Sequence, residues 1–226
     1  MGLRVAIDLD GTVADLSKTM LALAKKKLRR RVAPPVEARS LDDGEPPPRP
    51  SIADLKLSQS ELDALWTHAL KTKDFWTTLP ELEDGIVTRI AQLAAERRWD
   101  VLFITTRPTA AGATTQLQSQ QWLSAHGFAN PSVYVVKGSR GKVAAALDLD
   151  AVVDDRPENC FDVATESRAK AVLVWRAPIE ALAPGMTRDG VIVTPSISAA
   201  VDQLIELDRE KRGGVVHSIK RLLRRH

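Results

Sequence analysis

Six short apolar runs punctuate the chain, at residues 3–9, 101–105, 133–136, 151–153, 171–175 and 191–193. Their length predicts buried strands. Most are separated by stretches long enough for a helix. Residues 84–98 carry an apolar stripe at Ile86, Ile90, Leu93 and Ala94, with Asp84 as the expected N-cap. Residues 112–126 read as a helix closed by Gly127, and Lys142–Leu147 and Ile197–Leu207 as two shorter ones. Strands alternating with helices predict an α/β fold, a parallel sheet with helices on both faces.

One interval breaks the rhythm. Parallel strands need a crossover of only about a dozen residues, yet Asp10 and Val101 stand far more widely apart. Residues 12–31 read as helical. Residues 58–73 do too, with Ser58 or Ser60 as N-cap and Leu62, Leu65, Trp66, Ala69 and Leu70 as the stripe. Between them, Pro34, Pro35, Pro46, Pro47, Pro48 and Pro50 exclude regular helix or a central strand. The expected organisation is a core of residues 1–15 and 77–208, an inserted helical cap at 16–76 holding a proline-rich loop at 33–51, and a basic tail at 209–226.

The polar residues that carry chemistry fall where the apolar runs end. Asp8 and Asp10 close the first run, and Gly11 lets the chain turn after them. In a parallel sheet, ligands sit beyond the carboxyl ends of the strands. Two close carboxylates repel each other and stay ionised most easily around a cation; hard oxygen donors suit Mg²⁺. A carboxylate can also attack phosphorus to give an aspartyl-phosphate. The second run ends in Thr105, Thr106 and Arg107, where a neutral hydroxyl is available to a phosphoryl oxygen. Lys142 offers an ammonium that would offset the attacking carboxylate, with Lys137 as its rival. The fourth run ends in Asp154 and Asp155, with Asn159 downstream, and adjacent acids there again call for a cation or donors. The run Gly138-Ser139-Arg140-Gly141-Lys142-Val143 is no phosphate-binding P-loop, because its glycines are too closely spaced and Val143 stands where Ser or Thr is needed.

Composition narrows the setting. The chain has 226 residues, 44% of them hydrophobic, enough for one domain with a small insertion. Its single cysteine, Cys160, excludes an internal disulfide and a cysteine-based metal site, and favours a reducing, cytoplasmic location. His68, His126, His217 and His226 are too scattered for a histidine zinc site. Arg4 and Asp8 interrupt the first apolar stretch, so no signal peptide is expected, and no run reaches the length of a membrane span. The net charge of +3 is unevenly spread. Arg209, Lys211, Arg212, Lys220, Arg221, Arg224 and Arg225 crowd the tail against Glu210 alone, and Lys25–Arg31 forms a second basic run. These patches admit a solvated helix, a disordered extension, or contact with nucleic acid or an anionic surface.

The four strand ends resemble the motifs of the haloacid dehalogenase-like phosphohydrolases. Asp8-Leu9-Asp10-Gly11-Thr12 matches the first, Thr105 the second, Lys142 the third, and Asp154-Asp155 the fourth. The resemblance implies a Rossmann-like core, Mg²⁺, Asp8 as nucleophile, and Asp10 as general acid and then base with its backbone carbonyl on the metal. Where that family has Gly-Asp-x-x-x-Asp, this chain has Asp154-Asp155 and then Asn159, which leaves the metal roles of Asp154 and Asp155 both open. Asp8 to Asp15, Phe75-Trp76 with Leu79, Glu83 to Gly85 and Asp154 to Arg156 look like the 5′(3′)-deoxyribonucleotidases. That likeness implies a small phosphorylated substrate, a nucleotide, with Trp66, Phe75 and Trp76 available to its base and Thr106 and Arg107 in support. Hydrolysis of polynucleotide ends or of another small phosphoester, and a non-catalytic binding role, are the competing readings.

Overall fold

The computed structural model describes residues 2–28, 57–182 and 190–223, with side chains through 213. The proline-rich loop lies outside the described residues. The six apolar runs form β1 (Arg4–Asp8), β2 (Asp100–Thr105), β3 (Ser132–Val135), β4 (Ala151–Asp154), β5 (Lys170–Val174) and β6 (Val191–Thr194). They make one parallel sheet in the order β3-β2-β1-β4-β5-β6. The order reverses at β1, which pairs with β2 on one side and β4 on the other, so a crevice opens at their carboxyl ends. Register places Asp8 beside Ile104 and Ile7 beside Val153, bringing the three motif-bearing strand ends together.

The pleat explains why these strands are apolar throughout. Val5 and Ile7 enter one core, and Ala6 between them enters the other. The first core takes α3 (Ile86–Arg97), α4 (Thr115–Ala125) and α7 (Ile197–Leu223), through residues such as Ile90, Trp122 and Leu204. The second takes α5 (Arg140–Ala146) and α6 (Pro157–Glu166), through Ala144, Cys160 and Val163. Each large aliphatic side chain removed from water contributes roughly 1.5–3 kcal/mol.

Between β1 and β2 lie α1 (Leu16–Leu28), α2 (Gln59–Lys71) and a 3₁₀ turn, Phe75–Thr77, the helical elements of the cap. Ser58 starts α2 through a capping box: its side chain accepts from the Glu61 N–H and the Glu61 carboxylate accepts from the Ser58 N–H. Expectation and structure part at several helix ends, among them those of α3 and α7. The N-cap of α3 is Gly85 in the left-handed region, not Asp84, and the Glu81 carboxylate instead accepts the Gly85 and Val87 N–H groups at 2.9 Å. At the other end of the chain, α7 continues through the start of the supposed tail. Lys211 pairs with Asp150 at 2.7 Å, fastening the helix to the body, and Arg212 pairs along the helix with buried Asp208 at 3.0 Å, which also accepts from Arg97 of α3 at 3.2 Å. No helix among the described residues is long and apolar enough to cross a membrane.

Candidate active site

The loop after β1 folds back tightly, the Val13 and Ala14 N–H groups both donating to the Leu9 carbonyl. Gly11 makes this possible at φ +85°, and a Cβ there would fall 2.0 Å from the Asp155 carboxylate. The glycine therefore lets the end of β4 approach the end of β1.

Asp8, Asp154 and Asp155 converge, one carboxylate oxygen from each lying within 4.8 Å of the others. All three carboxyls are held above their ordinary range. Burial is the largest cause at Asp8, followed by the charges of Asp154 and Asp155, against the opposing pull of Arg140. Burial also raises Asp154, though the Asn159 amide, the Arg156 N–H and Arg140 all favour its charged form. Burial and then Asp154 push Asp155 up to about 7. Asp154 is well furnished with donors: Asn159 Nδ2 reaches its two oxygens at 3.0 and 2.9 Å, and the Arg156 N–H lies at 2.9 Å. Asp155 Oδ1 is buried without a hydrogen-bond partner. A divalent cation suits this set, because it would satisfy that oxygen and relieve the repulsion that lifts all three carboxyls.

The cation facing Asp8 is Arg140, not Lys142. Arg140 is buried, donating from Nη2 to Asp8 at 2.7 Å and from Nε toward Asp154 at 3.4 Å, while its Nη1 has no partner. Lys142 is exposed and absent from the cavity lining, as is Lys137. Helix geometry supplies the reason. Positions 140 and 142 point about 200° apart around a helix, so only one can face the sheet. Ser139 caps α5, accepting from the Gly141 and Lys142 N–H groups. Gly141 packs so closely on α6 that a Cβ would meet the Asp162 carbonyl at 2.1 Å. That contact turns Arg140 inward and Lys142 outward.

Asp10 points elsewhere. Its two oxygens accept from Arg107 Nε at 2.8 Å and Nη2 at 2.7 Å, a two-pronged ion pair. Arg107 is buried; its Nη1 donates to Ser119 at 3.0 Å, and its backbone N–H donates to the Thr105 hydroxyl at 3.2 Å.

These groups floor a cavity of about 250 Å³ lined by Asp8, Asp10, Thr105, Thr106, Arg107 and Arg140, with Arg156 and Asn159 at one side and Leu16, Trp66 and Trp76 on the cap side. The three aromatics expected to meet a base differ in placement. Trp66, on α2, is half-buried and lines the cavity. Trp76 touches the cavity but is fully buried, its Nε1 donating to the Pro108 carbonyl at 3.0 Å. Phe75 does not line the cavity; it packs edge-on against Trp76 with ring centroids 5.0 Å apart. Phe75 and Trp76 are thus core side chains beneath the site.

No family profile and no curated sequence matches this chain. Solved structures do. A Thermotoga maritima protein named as a candidate β-phosphoglucomutase is 12% identical, covers 90% of this chain and 99% of its own, and superposes with a TM-score of 0.53. A haloacid dehalogenase-like family hydrolase from Xanthomonas campestris is 12% identical over 92% of this chain and 97% of its own, with a TM-score of 0.46. The Thermotoga likeness shows a shared fold, the Rossmann-like parallel sheet with a helical cap that the motifs implied.

Proposed function

We propose that this chain is a Mg²⁺-dependent phosphomonoester hydrolase that passes through an aspartyl-phosphate on Asp8, with mononucleotides as its substrates. One observation carries the reading. Asp8 lines the cavity while converging with Asp154 and Asp155, and it lies beside a buried guanidinium nitrogen, Arg140 Nη1, that lacks an acceptor. A phosphoryl oxygen supplies that acceptor, and Thr105 and Thr106 line the same floor. Asp8 and Asp155, with the Asp10 carbonyl, would hold the metal, and Asp154 would brace Arg140 and Asn159. When bound, the cation offsets negative charge gathered around the phosphoryl group.

Asp8 attacks phosphorus, forming a P–O bond to its carboxylate as the ester P–O bond breaks. Asp10 delivers a proton to the departing alkoxide. It then takes a proton from the water that cleaves the aspartyl-phosphate, releasing phosphate and restoring Asp8. A halide would leave without a proton, so an acid at position 10 favours ester hydrolysis over dehalogenation. Trp66 and Leu16 form the apolar wall available to a base. The cavity lies just below the usual range for small-molecule sites, about 300–1,000 Å³, which favours a small ester.

The test is phosphate release from a panel of nucleoside monophosphates, sugar phosphates and p-nitrophenyl phosphate, with Mg²⁺ and with chelator. Mononucleotide turnover that requires Mg²⁺ and disappears in Asp8→Asn is expected. No release from any ester with Mg²⁺ present would sink the hydrolase reading, and release from sugar phosphates alone would sink the nucleotide assignment.

A further inference from the structure

Arg107 is held more tightly than a substrate-binding arginine needs to be. Three of its side-chain donors are engaged within the protein, two on Asp10 and one on Ser119. Its guanidinium carbon lies 4.9 Å from the Trp76 ring centroid and 6.0 Å from that of Trp122. Both indoles are themselves pinned: Trp122 Nε1 donates to the Leu79 carbonyl at 2.7 Å, and Trp76 Nε1 donates to the Pro108 carbonyl at 3.0 Å. The guanidinium is therefore fixed by α4 and the 3₁₀ turn before any ligand arrives. Asp10, in contrast, sits on a tight loop and keeps 19% of its side chain exposed toward the cavity. The fork allows its carboxylate one orientation.

We infer that Arg107 is a positioning residue, which aims the Asp10 carboxylate at the leaving-group oxygen and so sets turnover, not substrate affinity. The inference rests on the hydrolase reading, in which Asp10 moves the proton. It replaces the expectation that Arg107 supports substrate directly. A guanidinium meets each carboxylate oxygen with a separate nitrogen in a rigid plane and so fixes the carboxylate's orientation, whereas an ammonium is a point charge that does not. Misplacing a reacting group by about 1 Å can cost on the order of 100-fold in rate.

The experiment compares wild type, Arg107→Lys and Arg107→Ala on a mononucleotide and on p-nitrophenyl phosphate at saturating Mg²⁺, with thermal unfolding of each to confirm folding. On the mononucleotide, kcat should fall roughly tenfold or more in Arg107→Lys and about 100-fold in Arg107→Ala, with KM within about threefold. The loss should be smaller on p-nitrophenyl phosphate, whose phenolate leaves with little help from a proton. A rise in KM at unchanged kcat would make Arg107 a substrate contact and overturn the inference. Equal kcat losses on the two esters would overturn it too, as the mark of general structural damage. If wild type hydrolyses no ester, the hydrolase reading fails, and the crystal structure of Arg107→Lys decides the positioning claim. Asp10 should then leave its wild-type orientation; finding it unmoved refutes the claim.

Discussion

Asp8 and Asp10 stand two residues apart on one strand end, yet their surroundings are opposite in kind. Asp8 lies in an excess of negative charge, with Asp154 and Asp155 close by and one buried guanidinium shared between Asp8 and Asp154. Asp10 has a guanidinium to itself, matched oxygen for nitrogen. The first arrangement leaves Asp155 Oδ1 without a hydrogen-bond partner and all three carboxyls raised, even with Arg176 favouring the charged form of Asp155. The second is complete as it stands. On one rim, the fold thus separates a crowded acid cluster that a divalent cation would suit from an ion pair that holds its own geometry. The proposed hydrolase needs that division, with the Asp8 carboxylate beside a metal and the Asp10 carboxylate clear of it.

The largest effect should come from the acid cluster. Asp8→Asn removes the attacking charge and preserves the shape, so kcat should drop by more than about a thousandfold, on the scale seen when an essential nucleophile is removed. The variant should remain at least as stable as wild type without metal, because it deletes one of three crowded acids. Phosphate release and thermal unfolding measure both. Activity retained at a few per cent of wild type would mean that Asp8 is not the nucleophile.

Next in size is Asp155. Its buried Oδ1 has no partner, whereas both Asp154 oxygens already accept hydrogen bonds. Asp155→Asn should therefore raise the Mg²⁺ concentration for half-maximal activity by roughly 10- to 100-fold, the range that follows disturbance of a metal site. Asp154→Asn is expected to disturb the Arg140 and Asn159 contacts more than the metal requirement. The reverse order in Mg²⁺ titrations would exchange the two roles.

A smaller effect, on stability, sharpens the same contrast. Asp155 titrates at about 7 in the folded protein, against about 3.9 for an unfolded aspartate. Between those values the folded state binds more protons than the unfolded one, so this group's contribution is present at low pH and is lost as pH rises through about 7. Without metal, Asp155→Asn should melt higher than wild type at pH 8, and the gap should close toward pH 5. Mg²⁺ favours the ionised carboxylates, so its stabilisation of wild type should grow over the same interval. Melting curves at several pH values, with Mg²⁺ or chelator, check the sign. A gap that widens toward low pH contradicts it.

The two sides also differ in how far the sequence reveals them. Acids and hydroxyls at the ends of apolar runs announced Asp8, Asp10, Thr105, Asp154 and Asp155, because strand ends in a parallel sheet share one rim. Nothing local announced the partner of Asp10. Arg107 lies 97 residues away, and that pairing exists only once β1 and β2 lie side by side. The aromatics were similarly opaque, since Trp66 and Trp76 differ in burial because the 3₁₀ turn packs on α4 whereas α2 packs on α1, a tertiary fact. Arg140 was closer to legible. Ser139 is a good N-cap, and a helix beginning at Arg140 turns residues 140 and 142 to opposite faces. Starting that helix at Lys142 hid the inward face. The last turns of α7 read as a string of charges, whereas Lys211 finds its partner in distant Asp150 and Asp208 is buried against Arg97 of α3.

The smallest expected effect separates the two cations that compete for the Asp8 side. Lys142 is exposed, and its charge faces water, where screening over about 8–10 Å weakens any pull on a phosphoryl group in the cavity. Arg140 is buried and donates to the proposed nucleophile. Lys142→Ala should accordingly leave kcat/KM within about twofold, since alanine also suits a helix and no cavity contact is lost. Arg140→Lys is the matched comparison. It keeps the charge, but a single ammonium cannot serve Asp8, Asp154 and an incoming phosphoryl oxygen in the fixed directions of a guanidinium. Loss of activity in Arg140→Lys beside near-normal activity in Lys142→Ala would assign the cation of the Asp8 cluster to the first position of α5. A large loss in Lys142→Ala would mean that α5 rotates when substrate binds and presents its other face. The division between the crowded acid cluster and the ion pair that holds its own geometry would then extend to the helix that carries the cation.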